Sequence, residues 1–293
     1  MKQTKLTFLG LVFGLCLSGC LAIGISGQPS TQTAPERMVT VSLTETEQTL
    51  SLPLEEYVTG VLLAELTPSH HPDCFRALAV AVRTLAVRNQ GTLSDDPSVF
   101  QGYWTAETAS ARLGDAYPAA LEQAQAAARD TAGLVLTYQG EPALTAYFAC
   151  SSRATCASQW VWGGSLPYLM GVDSPWDTGS PDYISQKTFF PEELESLGPG
   201  VPKITSQAEN GYVLTMEWGD EVLNGEQARQ RLGLKSGCFT LTEAADGSIT
   251  ATVYGYGHGV GMSVYGAQAM ASEGKGWEEI LAWFYPGCEI QKN

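Results

Sequence analysis

Residues 52–89, LPLEEYVTGVLLAELTPSHHPDCFRALAVAVRTLAVRN, read as two successive helices around which the rest of the chain must fold. Pro53 suits a first helical turn, where its missing N–H costs nothing, and Glu55 and Glu56 lie near the positive end of the helix dipole. Leu54, Val58 and Val61 then build one apolar stripe, and four residues further along it stands Glu65, just before Thr67-Pro68 stops the helix. A carboxylate there is desolvated and close to a negative helix terminus, so its pKa should rise toward the range of a general acid working near neutral pH. Read alone, Glu65 serves equally as a structural cap or pairing group. The second helix, from about Asp73 to Asn89, is apolar on most sides through Phe75, Leu78, Val80, Val82, Leu85 and Val87, and it carries Arg83 in its middle. A buried guanidinium needs acceptors. It either locks this helix to a neighbour or faces a ligand, and pairing with Glu65 would lower the glutamate's pKa against the acid role.

Outward from this pair, alternation predicts strands at Met38–Leu43 and Gln48–Leu52, and residues 27–37 read as a linker. Lys2 and Lys5 precede an apolar run from Leu6 to Ile25, long enough to span a bilayer core. Residues 1–26 are thus a membrane anchor or, with Leu17-Ser18-Gly19-Cys20 as a processing site, a lipoprotein signal with Cys20 lipidated. Either places the body, residues 38–293, on the extracytoplasmic face. Downstream the pattern predicts a helix at Tyr117–Asp130 and a hairpin of Leu134–Tyr138 with Ala143–Phe148. A second hairpin follows at Tyr212–Val222, then a helix at Gly225–Leu232, strands at Phe239–Leu241 and Ile249–Tyr254, and helices at Ser263–Glu273 and Trp277–Phe284. Helices and antiparallel hairpins mix without βαβ alternation, so the fold class is α+β, with a smaller subdomain marked at about 180–250.

The 293 residues carry 31 acidic against 16 basic side chains, a net charge of −15, which excludes the positive footprint a nucleic-acid partner requires. Residues 255–261 hold four glycines and His258, matching neither a P-loop nor a dinucleotide turn. His70, His71 and Cys74 lie close together, but no acid or oxyanion motif accompanies them as a nucleophile pair would need. Trp160, Trp162 and Trp176 either stack on sugar faces or pack the second half. Cys150 and Cys156 stand six apart, wider than a zinc knuckle, and a zinc site and a disulfide are both open to them.

The phrases LPLEEYVTGVLLAEL, ALAVAVRTLAV, LPYLMGVDSP, NGEQARQRLGLKS and GYGHGVGMSVYGAQAMASEGKGWEEILAWFYPG, in this order, resemble the stage II sporulation protein D family over most of residues 39–290. The resemblance implies a membrane-anchored lytic transglycosylase of peptidoglycan, with Glu65 as its essential glutamate and Arg83 as the arginine of its A-x-RT stretch. It implies chemistry that one carboxylate runs without a cofactor, with Arg83, His258, Tyr265 and Gln268 holding the sugar. Implied partners are glycan strands stripped of stem peptides, a cell-wall amidase and the engulfment membrane proteins of a spore former. Relatives that act as noncatalytic glycan-binding enhancers of an amidase, or as scaffolds, supply the alternative. The chain departs from the family pattern in having Leu78 and Val264 in place of glutamines, and Ala149-Cys150-Ser151-Ser152-Arg153-Ala154 where His, Ser/Thr and Gly-Gly are usual. Some members carry a cysteine pair with zinc at that loop, which would be structural zinc at Cys150 and Cys156. Here Leu144 or Ala149 stands where a histidine ligand would be.

Overall fold

The computed structural model describes residues 37–96 and 100–293. The apolar segment at 1–26 and all of the linker but Arg37 lie outside the described residues, and no helix among the described residues is long and apolar enough to cross a membrane.

In chain order, strands β1 (Met38–Leu43) and β2 (Gln48–Pro53) lead into helices α1 (Leu54–Glu65) and α2 (Pro72–Arg88), then β3 (Thr92–Ser94), α3 (Ala106–Leu113) and α4 (Tyr117–Asp130). Strands β4 (Leu134–Tyr138), β5 (Glu141–Pro142) and β6 (Tyr147–Phe148) precede α5 (Ser158–Trp162), β7 (Ile184–Phe189), α6 (Pro191–Leu197), β8 (Lys203–Gln207), β9 (Val213–Trp218) and β10 (Glu221–Leu223). The chain closes with α7 (Gly225–Leu232), β11 (Phe239–Glu243), β12 (Ile249–Tyr254), β13 (Met262–Ser263), α8 (Val264–Ser272), α9 (Trp277–Phe284) and β14 (Glu289–Lys292). The class is α+β. Three sheets run in the orders β14-β4-β5, β10-β9-β8 and β11-β12-β7, all antiparallel, while β3 joins β1 and β13 joins β6 in parallel.

Helix α2 is the centre of the main core, with Phe75 through Val82 buried except Arg76. It begins at Pro72 because the His71 side chain accepts the Asp73 N–H at 3.2 Å, a cap on an otherwise orphaned donor. A separate core gathers Phe189, Met216, Trp218, Phe239 and Ile249 between the two later antiparallel sheets.

One expected hairpin is different. The return along β4 is short: it ends at Ala143, whose N–H donates to Leu136 O at 2.9 Å, after which Leu144–Phe148 leaves β4, and β14 takes the other edge of β4. The Thr145 hydroxyl instead donates to Ala81 O at 2.7 Å, and Tyr147 and Phe148 pair with Met262 and Ser263. Sequence proximity loses here to packing against α2.

Gly60 fixes how a loop meets α1. A Cβ at this position would lie 2.3 Å from Tyr103 Cε2 and 2.7 Å from the Trp104 carbonyl, and Trp104 N–H donates to Gly60 O. Alanine gains about 1 kcal/mol of helix propensity over glycine, but overpacking against backbone costs about 1–3 kcal/mol. Gly60→Ala should therefore lower the melting temperature and speed amide exchange across residues 101–104; an unchanged or raised melting temperature would contradict this packing.

Candidate active site

Glu65 is the last residue of α1, and the chain turns extended at Leu66 before Pro68. Its partly buried carboxylate lies beside Gly102, where an added Cβ would be 3.4 Å from Oε1. The Tyr147 hydroxyl hydrogen-bonds to it. That hydroxyl accepts from Gln101 Nε2 at 3.0 Å, and Gln101 Oε1 accepts from the buried Tyr57 hydroxyl at 3.1 Å. A chain of donors from Tyr57 through Gln101 and Tyr147 thus ends on the carboxylate, and the Tyr57 ring is held by stacking on Tyr103 at 5.5 Å. Burial pushes the Glu65 carboxyl up to about 7, while the Tyr147 hydrogen bond pulls the other way. Burial wins because one neutral donor replaces far less than the water it displaces. No other carboxylate among the described residues is among the causes of the shift.

Tyr147→Phe tests that balance. Losing the donor should move the alkaline limb of any Glu65-dependent activity to higher pH, and stranding Gln101 Nε2 should cost about 1–3 kcal/mol of stability. A limb that moves to lower pH would contradict the hydrogen bond's sense.

β6 positions Tyr147, and Gly261 makes this possible, because a Cβ there would fall on the Ala146 carbonyl. His258 sits in the same glycine-rich loop. Its ring lies 5.6 Å from that of Phe148 and 5.1 Å from that of Trp162, Nδ1 accepts the Val260 N–H at 3.1 Å, and the ring also bonds the Tyr147 backbone. Burial, and then the Arg229 charge, lower its pKa to about 4, so it is neutral at pH 7 and supports Tyr147. Gln268 braces the turn after Glu65, with Oε1 accepting the His71 N–H at 2.7 Å and Nε2 donating to Ser272 at 3.3 Å. Tyr265 points elsewhere: its hydroxyl lies against Gly179. The structure thus connects Glu65 through Tyr147 to His258, and through the following turn to Gln268, but gives Tyr265 a different neighbour.

Arg83 is a correction. It is 0% exposed, and its guanidinium pairs with Glu55 through Nε at 2.8 Å and Nη2 at 2.6 Å. The remaining N–H groups go to Ala79, Ala128 and Leu134 carbonyls and to Thr131. No donor is left for a sugar, so Arg83 locks α1, α2 and the end of α4 together. The sequence marks Arg83 as a buried cation, but Glu55 lies 28 residues away and only the packing of α1 on α2 names it as the partner.

The cysteine expectation is corrected too. Cys150 Sγ donates to Ser151 O at 3.7 Å, whereas the Cys156 thiol hydrogen-bonds with Cys238, and Asn210 Nδ2 approaches Cys156 Sγ at 3.5 Å. The residues do not fit zinc or a disulfide at Cys150 and Cys156, and no group of three or more His, Cys, Asp or Glu side chains among the described residues is placed to hold a metal. Cys74 is no nucleophile: burial drives its thiol up to about 12, and His71 is occupied as the cap of α2. Leu78 and Val264 both lie in the main core. Among the tryptophans, Trp160 stacks on Tyr212, Trp176 meets Trp283 edge-on, and Trp162 stands 46% exposed beside His258.

Asp177 escaped the sequence reading. Fully buried, it accepts from Ser151 N–H at 2.9 Å and from the Ser263 hydroxyl at 2.7 Å, tying the loop after β6 to the cap of α8. Tyr147 and Gln101 escaped it as well: the sequence shows Tyr147 only as part of a hairpin strand, and Gln101 lies in no periodic segment.

The fold is thus an α+β body that presents a partly buried glutamate whose carboxyl is held near neutrality. Residues 42–138 match the family model described as Stage II sporulation protein. The chain is 35% identical over 271 residues to stage II sporulation protein D of Bacillus subtilis (strain 168), covering 87% of this chain and 79% of that one. It is equally similar, at 35% over 271 residues, to stage II sporulation protein D of Bacillus amyloliquefaciens, covering 87% and 78%. The amidase enhancer of Bacillus subtilis (strain 168) is 25% identical over 300 residues, 79% of this chain but 40% of that protein. The chain belongs to the stage II sporulation protein D family, a family of sporulation proteins.

Proposed function

We propose that the protein is a peptidoglycan lytic transglycosylase, cleaving between N-acetylmuramic acid and N-acetylglucosamine in peptide-free glycan during septal and engulfment wall remodelling. The observation that carries this reading is Glu65: a partly buried carboxyl pushed up to about 7 at the end of a donor chain, with no other carboxylate among the described residues contributing to that shift. A glycoside hydrolase needs two carboxyl groups about 5–9 Å apart. A transglycosylase runs on one. Protonated Glu65 donates to the glycosidic oxygen as the C1–O bond breaks, and the carboxylate then takes the C6 hydroxyl proton as that oxygen bonds C1. The glutamate ends protonated, no water is consumed, and the product carries a 1,6-anhydro end. We further propose that residues 1–26 hold the body at the outer membrane face, where a cell-wall amidase supplies peptide-free strands.

Similarity to an amidase enhancer supports a second reading, a noncatalytic glycan-binding enhancer or scaffold for such an amidase. Purified protein incubated alone with peptide-free glycan separates the two. The transglycosylase releases anhydro-ended fragments without amidase; an enhancer releases none and only raises amidase turnover.

A further inference from the structure

Arg153 occupies a backbone conformation that glycine tolerates and arginine does not, with φ at 97°. The surrounding pairing enforces it: Ser174 N–H donates to the Arg153 carbonyl at 2.6 Å, and Ala154 bridges Asp173. The side chain is exposed and makes no ion pair among the described residues, so the fold gains nothing evident from an arginine here.

It lines a cavity of about 1060 Å³ walled by Trp160, Tyr183, Tyr254 and Trp283. These rings are fixed before any ligand arrives. Trp160 stacks on Tyr212 with centroids 6.4 Å apart, and Tyr183 meets Tyr254 edge-on at 6.1 Å. Trp283, 42% exposed, donates from Nε1 to the Asp173 carbonyl at 2.8 Å. Flat apolar faces beside hydrogen-bonding groups suit pyranose rings, and a guanidinium among them suits a planar carboxylate. Asp173 and Glu209 also line the cavity, and they disfavour a ligand with several negative charges.

We propose that this cleft binds glycan whose muramic acid residues carry a free lactyl carboxylate, with Arg153 receiving that group. Hydrolysis of the amide joining a stem peptide to the lactyl ether leaves one carboxylate on each muramic acid, whereas an intact stem peptide carries more. The cleft therefore selects amidase-treated strands by charge, and the strained arginine is the selecting element. This rests on the glycan reading above but not on the chemistry assigned to Glu65.

The test is calorimetric titration of the full-length chain, in a Glu65→Gln background that keeps the ligand intact. The probes are a peptide-free muramyl oligosaccharide and a neutral N-acetylglucosamine oligomer of equal length. The muramyl ligand should bind about tenfold or more tightly than the neutral one. Arg153→Gly should remove that preference, leave the neutral ligand unaffected and raise the melting temperature by about 2–4 °C as strain is relieved. Arg153→Lys should keep part of the preference. An Arg153→Gly chain that still prefers the muramyl ligand, or an Arg153 chain that binds neither ligand, overturns the proposal. Arg153-dependent binding without cleavage by the Glu65 chain would sink the transglycosylase reading alone, and cleavage without Arg153 dependence would sink this one alone.

Discussion

Glu65→Gln is expected to cut glycan cleavage by about 10²–10⁴-fold, the range a positioned general acid and base supplies. The amide preserves size and still accepts from Tyr147 but neither gives nor takes a proton. The same substitution should stabilise the protein at alkaline pH. The folded carboxyl titrates at about 7 against an ordinary 4.5, so between those values the unfolded chain loses a proton that the folded chain retains. Stability contributed by this group is complete below about pH 4.5 and is lost as pH rises through 7. Glutamine removes the penalty, and the variant should exceed the parent by roughly 3 kcal/mol at pH 8 while matching it near pH 4. Denaturant unfolding at the two pH values reads this directly; equal stability differences at both would contradict a raised pKa. In the parent, activity should decline above about pH 7 as the acid deprotonates.

Glu55→Ala carries the other large effect. It leaves the fully buried Arg83 guanidinium facing only carbonyls and a hydroxyl, which costs about 3–5 kcal/mol. Arg83→Met in the same background should recover part of that loss, because the pair acts as a unit and the two changes are not additive. A substrate-binding arginine would behave otherwise: Arg83→Met would weaken glycan binding at unchanged stability, and Glu55→Ala would do little.

What the sequence made legible follows from spacing. Leu54, Val58, Val61 and Glu65 recur at helical intervals, so the buried carboxylate and the direction of its pKa shift were both readable. Arg83 showed itself as a buried cation, but its partner lies 28 residues away and depends on helix pairing that periodicity does not address. Tyr147 sits on a two-residue strand whose existence depends on Gly261 and Met262, more than a hundred residues later. Gln101 reaches the site from a loop held against Gly60. Cys156 meets Cys238 for the same reason, since local spacing favoured Cys150 while the loop pairing Cys156 with Val260 turned its thiol elsewhere. Residues that act through distant contacts carry no local mark.

The central claim is that one carboxylate transfers the glycan's own C6 oxygen to C1 without water. Peptide-free glycan digested by the protein in water enriched in ¹⁸O, with the new muramic acid ends weighed by mass spectrometry, tests it most directly. The account predicts ends lighter than the reducing sugar by one water and free of ¹⁸O, absent with Glu65→Gln. Ends that carry ¹⁸O at C1, or glycan left intact by the parent protein, would contradict it.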